Sequence, residues 1–159
     1  TNPYRHIVEL NRGTQDSVKI NQPIIDTSGV VGQIIDIGPL SSQALLISDP
    51  QHIFSVQVNR NGIRGLAQGT GSFQSLNILN IPIEEDIKVG DLLISSGLDQ
   101  RFPQGYPVAV VSNIEHDPTN HFAKITAKPT AELNKIREVL VLKSIIAQPP
   151  ATTIKEVAP

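Results

Sequence analysis

His52, Asp91 and Ser96 occur in an order and combination that could supply a general base, an orienting acid and a nucleophile. A serine hydrolase needs more than the three residue types: its hydroxyl must sit on a strained turn beside amide donors for an oxyanion. Ser95-Ser96-Gly97 follows an apolar run and lacks the flanking glycines that would provide those donors. A trypsin-like hydrolase is therefore the alternative reading, not the leading one. His116, Asp117 and His121 flank an Asp-Pro turn with no further His nearby, a spacing that matches no common metal site, and they read as a hairpin tip. The acidic run Glu84-Glu85-Asp86 reads as a solvated loop, because adjacent loop carboxylates rarely reach the desolvation that acid–base work requires. The stretch Gly62 to Gly71 lacks the Gly-Lys-Ser/Thr ending of a phosphate cradle and opens no helix. Arg60 and Arg64 read as a solvated strand end. No catalytic residue, cofactor or metal is expected.

Composition narrows the field further. The 159 residues carry a net charge of -2, with 39% hydrophobic and 18% charged residues, which excludes a disordered chain and argues against a nucleic-acid partner. Cysteine is absent, so disulfides and thiol chemistry are impossible. No apolar run approaches the roughly 20 residues of a membrane helix. Methionine is absent even at position 1, from which a segment upstream of Thr1 is expected. Aromatics make up only 4%, which disfavours a stacking platform for sugars, although a peptidoglycan-binding barrel remains a further alternative.

The elements that would position any site are strands. Ile and Val number 21 and 13, and β-branched side chains favour a pleated surface. Phe54-Ser55-Val56-Gln57-Val58-Asn59 alternates apolar with polar, and short apolar runs such as Leu92-Leu93-Ile94 and Val108-Ala109-Val110-Val111 are bounded by turn residues. Turn signals such as Asn61-Gly62 and Asp117-Pro118 recur throughout, as in a sandwich or barrel. Only Thr130–Arg137 predicts a helix, about two turns long, capped by Thr130. Gln148 to Pro159 reads as a flexible tail. The fold class is all-β. An internal repeat aligns Lys19–Ile25 with Lys88–Ile94 and Val31–Ile37 with Val108–Ile114, placing Asn21 opposite Gly90; chance similarity of Ile/Val-rich strands is the alternative.

With chemistry set aside, recognition through surface remains. Strand edges need covering, and loop aromatics can anchor a partner. The candidate contacts are Phe73, Phe102 and Tyr106, the last two on the proline-stiffened turn Phe102-Pro103-Gln104-Gly105-Tyr106-Pro107, where a plug at a barrel end is the competing reading.

The order of motifs is familiar. Gly29-Val30-Val31-Gly32-Gln33, Ser48-Asp49-Pro50, Val89-Gly90-Asp91 and Ser96-Gly97-Leu98 occur in that sequence, followed by Phe102-Pro103-Gln104-Gly105-Tyr106 and Lys128-Pro129-Thr130. Together they resemble the periplasmic β-domain of the rod-shape-determining protein MreC family, in its Gram-negative form, over roughly residues 7 to 142. The resemblance implies two small packed β-barrels with a chymotrypsin-like look and no triad, assigned here to 5–80 and 81–143, with a Pro-containing tail at 144–159. It implies the periplasmic part of a single-pass inner-membrane protein whose helix and coiled coil lie upstream. It also implies a scaffold of the cell-elongation complex that self-associates as a dimer or more, and partners among MreB, MreD, RodZ and an elongation penicillin-binding transpeptidase. The matching positions Gly29, Gly32, Gln33, Asp49, Pro50, Gly90, Asp91, Ser96, Gly97, Pro103 and Gly105 are expected to be structural. Ser17, Asn21, Asp99 and Ala109 stand where the family commonly has glycine.

Overall fold

The computed structural model describes residues 5–143, together with the strand backbone at 151–154 and 157–158. Among the described residues thirteen strands form two antiparallel units. The first is a sheet in the order β12-β11-β2-β3-β4-β1-β13. It contains β1 (Ile7–Leu10), β2 (Pro23–Asp26), β3 (Gly29–Ile37), β4 (Ser42–Leu46), β11 (Val139–Leu142), β12 (Ala151–Ile154) and β13 (Val157–Ala158). The second is a closed barrel, β10-β7-β6-β5-β8-β9. Its members are β5 (Ile53–Val58), β6 (Arg64–Gly69), β7 (Leu76–Leu79), β8 (Leu92–Ser95), β9 (Pro107–Glu115) and β10 (Lys124–Pro129). Among the described residues no helix is long and apolar enough to cross a membrane.

Alternation decides which faces turn inward. Phe54, Val56 and Val58 of β5 are buried, as the two-residue period of a strand requires. One cluster of buried apolar side chains runs through both units, from Leu10, Ile24 and Ile34 to Phe54, Leu93 and Ile125.

The internal repeat is present in the hydrogen-bonding itself. Asn21 N donates to Ile34 O and Ile34 N to Gln22 O, both at 2.9 Å. Gly90 N donates to Val111 O at 2.8 Å and Val111 N to Asp91 O at 2.9 Å, which is the same pair one repeat later. Ile24 faces Gly32 as Leu93 faces Ala109, and each ladder shifts register at the next residue. Both long strands then bulge again, the register passing over Ile35 in β3 and Ser112 in β9. Bulges add twist, which a ring of so few strands needs in order to close.

Three expectations are corrected. The boundary at residue 80 cuts the closed barrel, whose strands run from Ile53 to Pro129; the second unit is inserted between β4 and β11 of the first. Strand pairing across a long sequence gap leaves no mark in composition, so a linear reading divides the chain at a turn instead. No helix forms at 130–137. Pro129, Ala131 and Leu133 are buried while Glu132 and Asn134 are exposed, a period of two that a helix cannot satisfy. Finally, the tail contributes β12 and β13 to the sheet; residues 144–150, 155, 156 and 159 lie outside the described residues.

Candidate interaction surfaces

The residues that could have done chemistry are occupied structurally. His52 is only 1% exposed, between Phe54 and Phe102, whose ring centroids lie 5.4 and 5.8 Å from its own. Its Nδ1 is 3.3 Å from the Leu46 carbonyl and its Nε2 has no hydrogen-bond partner among the described residues. Burial pushes its pKa down to about 4, against the pull of the Leu46 carbonyl. Asp91 instead holds Arg60: Oδ2 accepts from Nη2 at 2.9 Å and Oδ1 from Nε at 3.1 Å. Asp86 takes Nη1 at 2.8 Å. These bonds to Arg60 lower both carboxylate pKa values. Arg60, read from sequence as a solvated strand end, thus ties the β5–β6 turn to the 86–91 loop. Ser95 Oγ donates to the Pro103 carbonyl and accepts from Tyr106 N, while Ser96 Oγ accepts only from Leu98 N. No two members of the trio hydrogen-bond to each other among the described residues. At the hairpin tip, Asp117 accepts the Thr119 amide and hydroxyl, which lower its pKa.

The motif positions make close backbone approaches and turns, some within one unit and some between the two. A Cβ at Gly29 would collide with Thr130 Oγ1 and the Pro107 carbonyl, so that glycine lets the two units approach. At Gly32 the obstacle would be the Leu45 carbonyl across the ladder. Gln33 is buried and its Nε2 donates to Asn21 O at 2.9 Å. The Asp49 side chain is fully buried and collects three donors: His6 N at 2.8 Å, Gln51 N at 2.9 Å and Arg5 Nε at 3.2 Å. Burial alone would raise its pKa, but the Gln51 and His6 amides, with Arg5, hold it below the usual carboxylate range. Pro50 is exposed, and its carbonyl accepts Gln68 Nε2 at 3.0 Å. Pro103 is buried beneath its turn, with Gly97 and Gly105 at positive φ on either side.

Of the three expected contact aromatics, Phe102 is not a surface anchor. It is 1% exposed and packs edge-on against Phe54 at 4.9 Å, so it plugs the barrel. The sequence left plug and anchor balanced, and the burial of Phe102 against Phe54 decides it for the plug. Tyr106 is half-buried against the same core. Phe73 remains 37% exposed, stacked on His6 at 4.2 Å. It borders a cleft of about 230 Å³ lined also by Lys128, Thr130, Glu132, Asn134 and Lys135. Phe122 was overlooked in the sequence, although it is 46% exposed. It borders a groove of about 400 Å³ with Leu79, Asn77, Asn80 and Lys124. It stands just before β10 on the β9–β10 hairpin, where an isolated bridge pairs it with Pro82.

Residues 1–143 match the family described as rod shape-determining protein MreC, barrel core. The chain belongs to the MreC family. It is 46% identical over 142 residues to the cell shape-determining protein MreC of Haemophilus influenzae, covering 89% of this chain and 40% of that protein. It therefore spans about two-fifths of the length of that curated relative. The crystal structure of MreC from Pseudomonas aeruginosa superimposes with a TM-score of 0.87 at 45% identity, covering 89% of this chain and 91% of the other. A solved complex between penicillin-binding protein PBP2 and MreC from Helicobacter pylori aligns at a TM-score of 0.60 and 25% identity, covering 80% and 77%. MreC is a shape-determining family and not an enzyme family.

Proposed function

We propose that this chain is the periplasmic interaction module of a cell-shape scaffold, and that it acts by presenting β-barrel surface to a penicillin-binding protein of peptidoglycan synthesis. The likeness to the Helicobacter pylori MreC, solved in complex with PBP2, carries the reading. The Phe73 cleft is the proposed contact face, because it combines an exposed aromatic with Lys128 and Lys135. Docking that favours one conformation of the transpeptidase shifts its population toward that state. The single-pass inner-membrane anchor, and the links to MreD, RodZ and MreB, are assigned to the longer protein of which this chain spans the barrel part. Self-association belongs to the same reading.

Titration calorimetry between this chain and the elongation penicillin-binding protein of its own organism tests the proposal. Saturable one-to-one binding is expected, weakened at least tenfold, about 1.4 kcal/mol, by Phe73→Asp. Absence of heat at the highest soluble concentrations would remove the reading.

A further inference from the structure

The outer face of the closed barrel carries a row of polar side chains with no role in the contacts described above. Asn113 of β9 is opposite Thr126 of β10, Thr126 is opposite Asn77 of β7, and Asn77 is opposite Gln68 of β6. Their neighbours along the strands, among them Ile125, Ala127, Ile78 and Ala67, are buried, so alternation sends the four polar residues outward. The row is three carboxamides and one hydroxyl, and it bears no formal charge.

Existing bonds aim these amides. Gln68 Nε2 donates to the Pro50 carbonyl at 3.0 Å, which leaves Oε1 as the open acceptor. Asn113 Nδ2 donates to Glu115 Oε1 at 3.3 Å. The groove bordered by Phe122 opens beside Asn77, and its volume of about 400 Å³ falls in the range of ligand clefts. Its wall adds Asn80, held in the left-handed region at φ 66°, and Asn120, whose Oδ1 accepts Phe122 N at 3.1 Å. The exposed Phe122 ring lies beside these amides.

This chemistry selects the occupant. A carboxamide donates and accepts at once, as the hydroxyl and acetamido groups of a sugar do, whereas phosphates and carboxylates call for cations. Lys124 is the one charged residue of the groove wall among the described residues, and Glu115 stands opposite it in the ladder. An extended peptide has no ladder to join here, because the barrel is closed and β7 and β10 are paired on both sides. Neighbouring strands lie about 4.8 Å apart, close to the length of one unit in an extended β-1,4-linked sugar chain. A sugar chain lying across the strands therefore meets one side chain of the row per unit, with the apolar face of a ring against Phe122.

We propose that this face binds the glycan strand of peptidoglycan, a β-1,4-linked chain of N-acetylated amino sugars, across β9, β10, β7 and β6. The choice of peptidoglycan as the source rests on the function proposed above. The site itself is separate, since no residue of the row or groove borders the Phe73 cleft.

Titrating the isotope-labelled chain with the β-1,4-linked N-acetylglucosamine tetramer, followed by amide NMR, tests this. Saturable shifts centred on β6, β7, β9 and β10 are expected, with affinity rising from the dimer to the tetramer as more of the row is engaged. Asn77→Ala and Phe122→Ala, both at exposed side chains, should each weaken binding about fivefold with the melting temperature unchanged. The chain should also pellet with purified sacculi and be released by the tetramer. Phe73→Asp should leave sugar binding intact, which separates this outcome from that of the penicillin-binding protein titration. No saturable shift at millimolar tetramer, shifts unaltered by both substitutions, failure to pellet, or an equal response to an α-1,6-linked glucose tetramer would overturn the proposal. So would loss of penicillin-binding protein affinity in Asn77→Ala without any response to the sugar, since the face would then be a protein contact.

Discussion

An imidazole held between Phe54 and Phe102 pays for its burial in protons. The unfolded chain binds one near pH 6.5, while the folded chain resists until about pH 4. The unfolded state therefore binds more protons in that window, so stability is full above pH 6.5 and falls as the pH drops toward 4. At about 1.4 kcal/mol per unit the loss is about 3 kcal/mol. Urea melts across this range are expected to show the slope in the parent chain and to lose it in His52→Phe. An equal slope in both would place the titration elsewhere; Asp49, with its lowered pKa, acts in the same direction but at lower pH. Phe102→Ala is expected to cost about 3–5 kcal/mol by emptying the barrel end, and Phe73→Asp to leave the melting temperature within a few degrees. A Phe102→Asp chain should fail to fold rather than fold and lose its partner. Which of these aromatics was core was not legible from the sequence. Phe73 and Phe102 are both flanked by polar, turn-forming residues, and only the ring of strands around Phe102 distinguishes them.

At the level of elements, the repeated hairpin carries the fold. Asn21 and Gly90 both take up the left-handed region, at φ 72° and 96°, just before β2 and β8. No atom lies within 4 Å of a Cβ built at Gly90, so a substitution there meets only backbone strain. Gly90→Val and Asn21→Val are each expected to lose about 1–2 kcal/mol, with Asn21→Gly nearly neutral, measured by equilibrium unfolding. Ser17 is left-handed too at φ 63°. Gly97→Val should cost more, because φ is 75° and Gln104 N lies 3.2 Å from the added Cβ. The strands and this hairpin were legible because two-residue alternation and turn residues are local signals. The segment 130–137 misled because Leu133 and Ile136 mimic a helical edge, whereas Ala131 and Leu133 are buried on one side of an extended path. The tail misled because its prolines outweighed the β-branched Thr152-Thr153-Ile154, and nothing local announces that a distant sheet is short of a strand.

Considering the whole molecule, the closed barrel is inserted in sequence between two strands of the sheet. Strands β1 to β4 wait for β11, which follows the entire second unit. The two units meet by close backbone approach at Gly29, beside Pro107 and Thr130, and by His6 stacked on Phe73. Asp49 locks residues 5 and 6 onto the same junction, which fixes the direction from which the chain enters the barrels. Asp49→Ala, which leaves the Arg5 guanidinium and the His6 and Gln51 amides without their acceptor, is expected to lose about 2–4 kcal/mol and to loosen residues 5–10 in hydrogen exchange. The family was legible because its motifs are runs of turn residues and glycines in a fixed order; the insertion was not, since sequence order conceals it. The most direct measurement is equilibrium binding of this chain to the elongation penicillin-binding protein of its organism, with substrate turnover by the chain followed in parallel. Saturable binding reduced by Phe73→Asp, with no turnover, is the predicted result. Turnover abolished by His52→Phe or Ser96→Ala, without any binding, would contradict it.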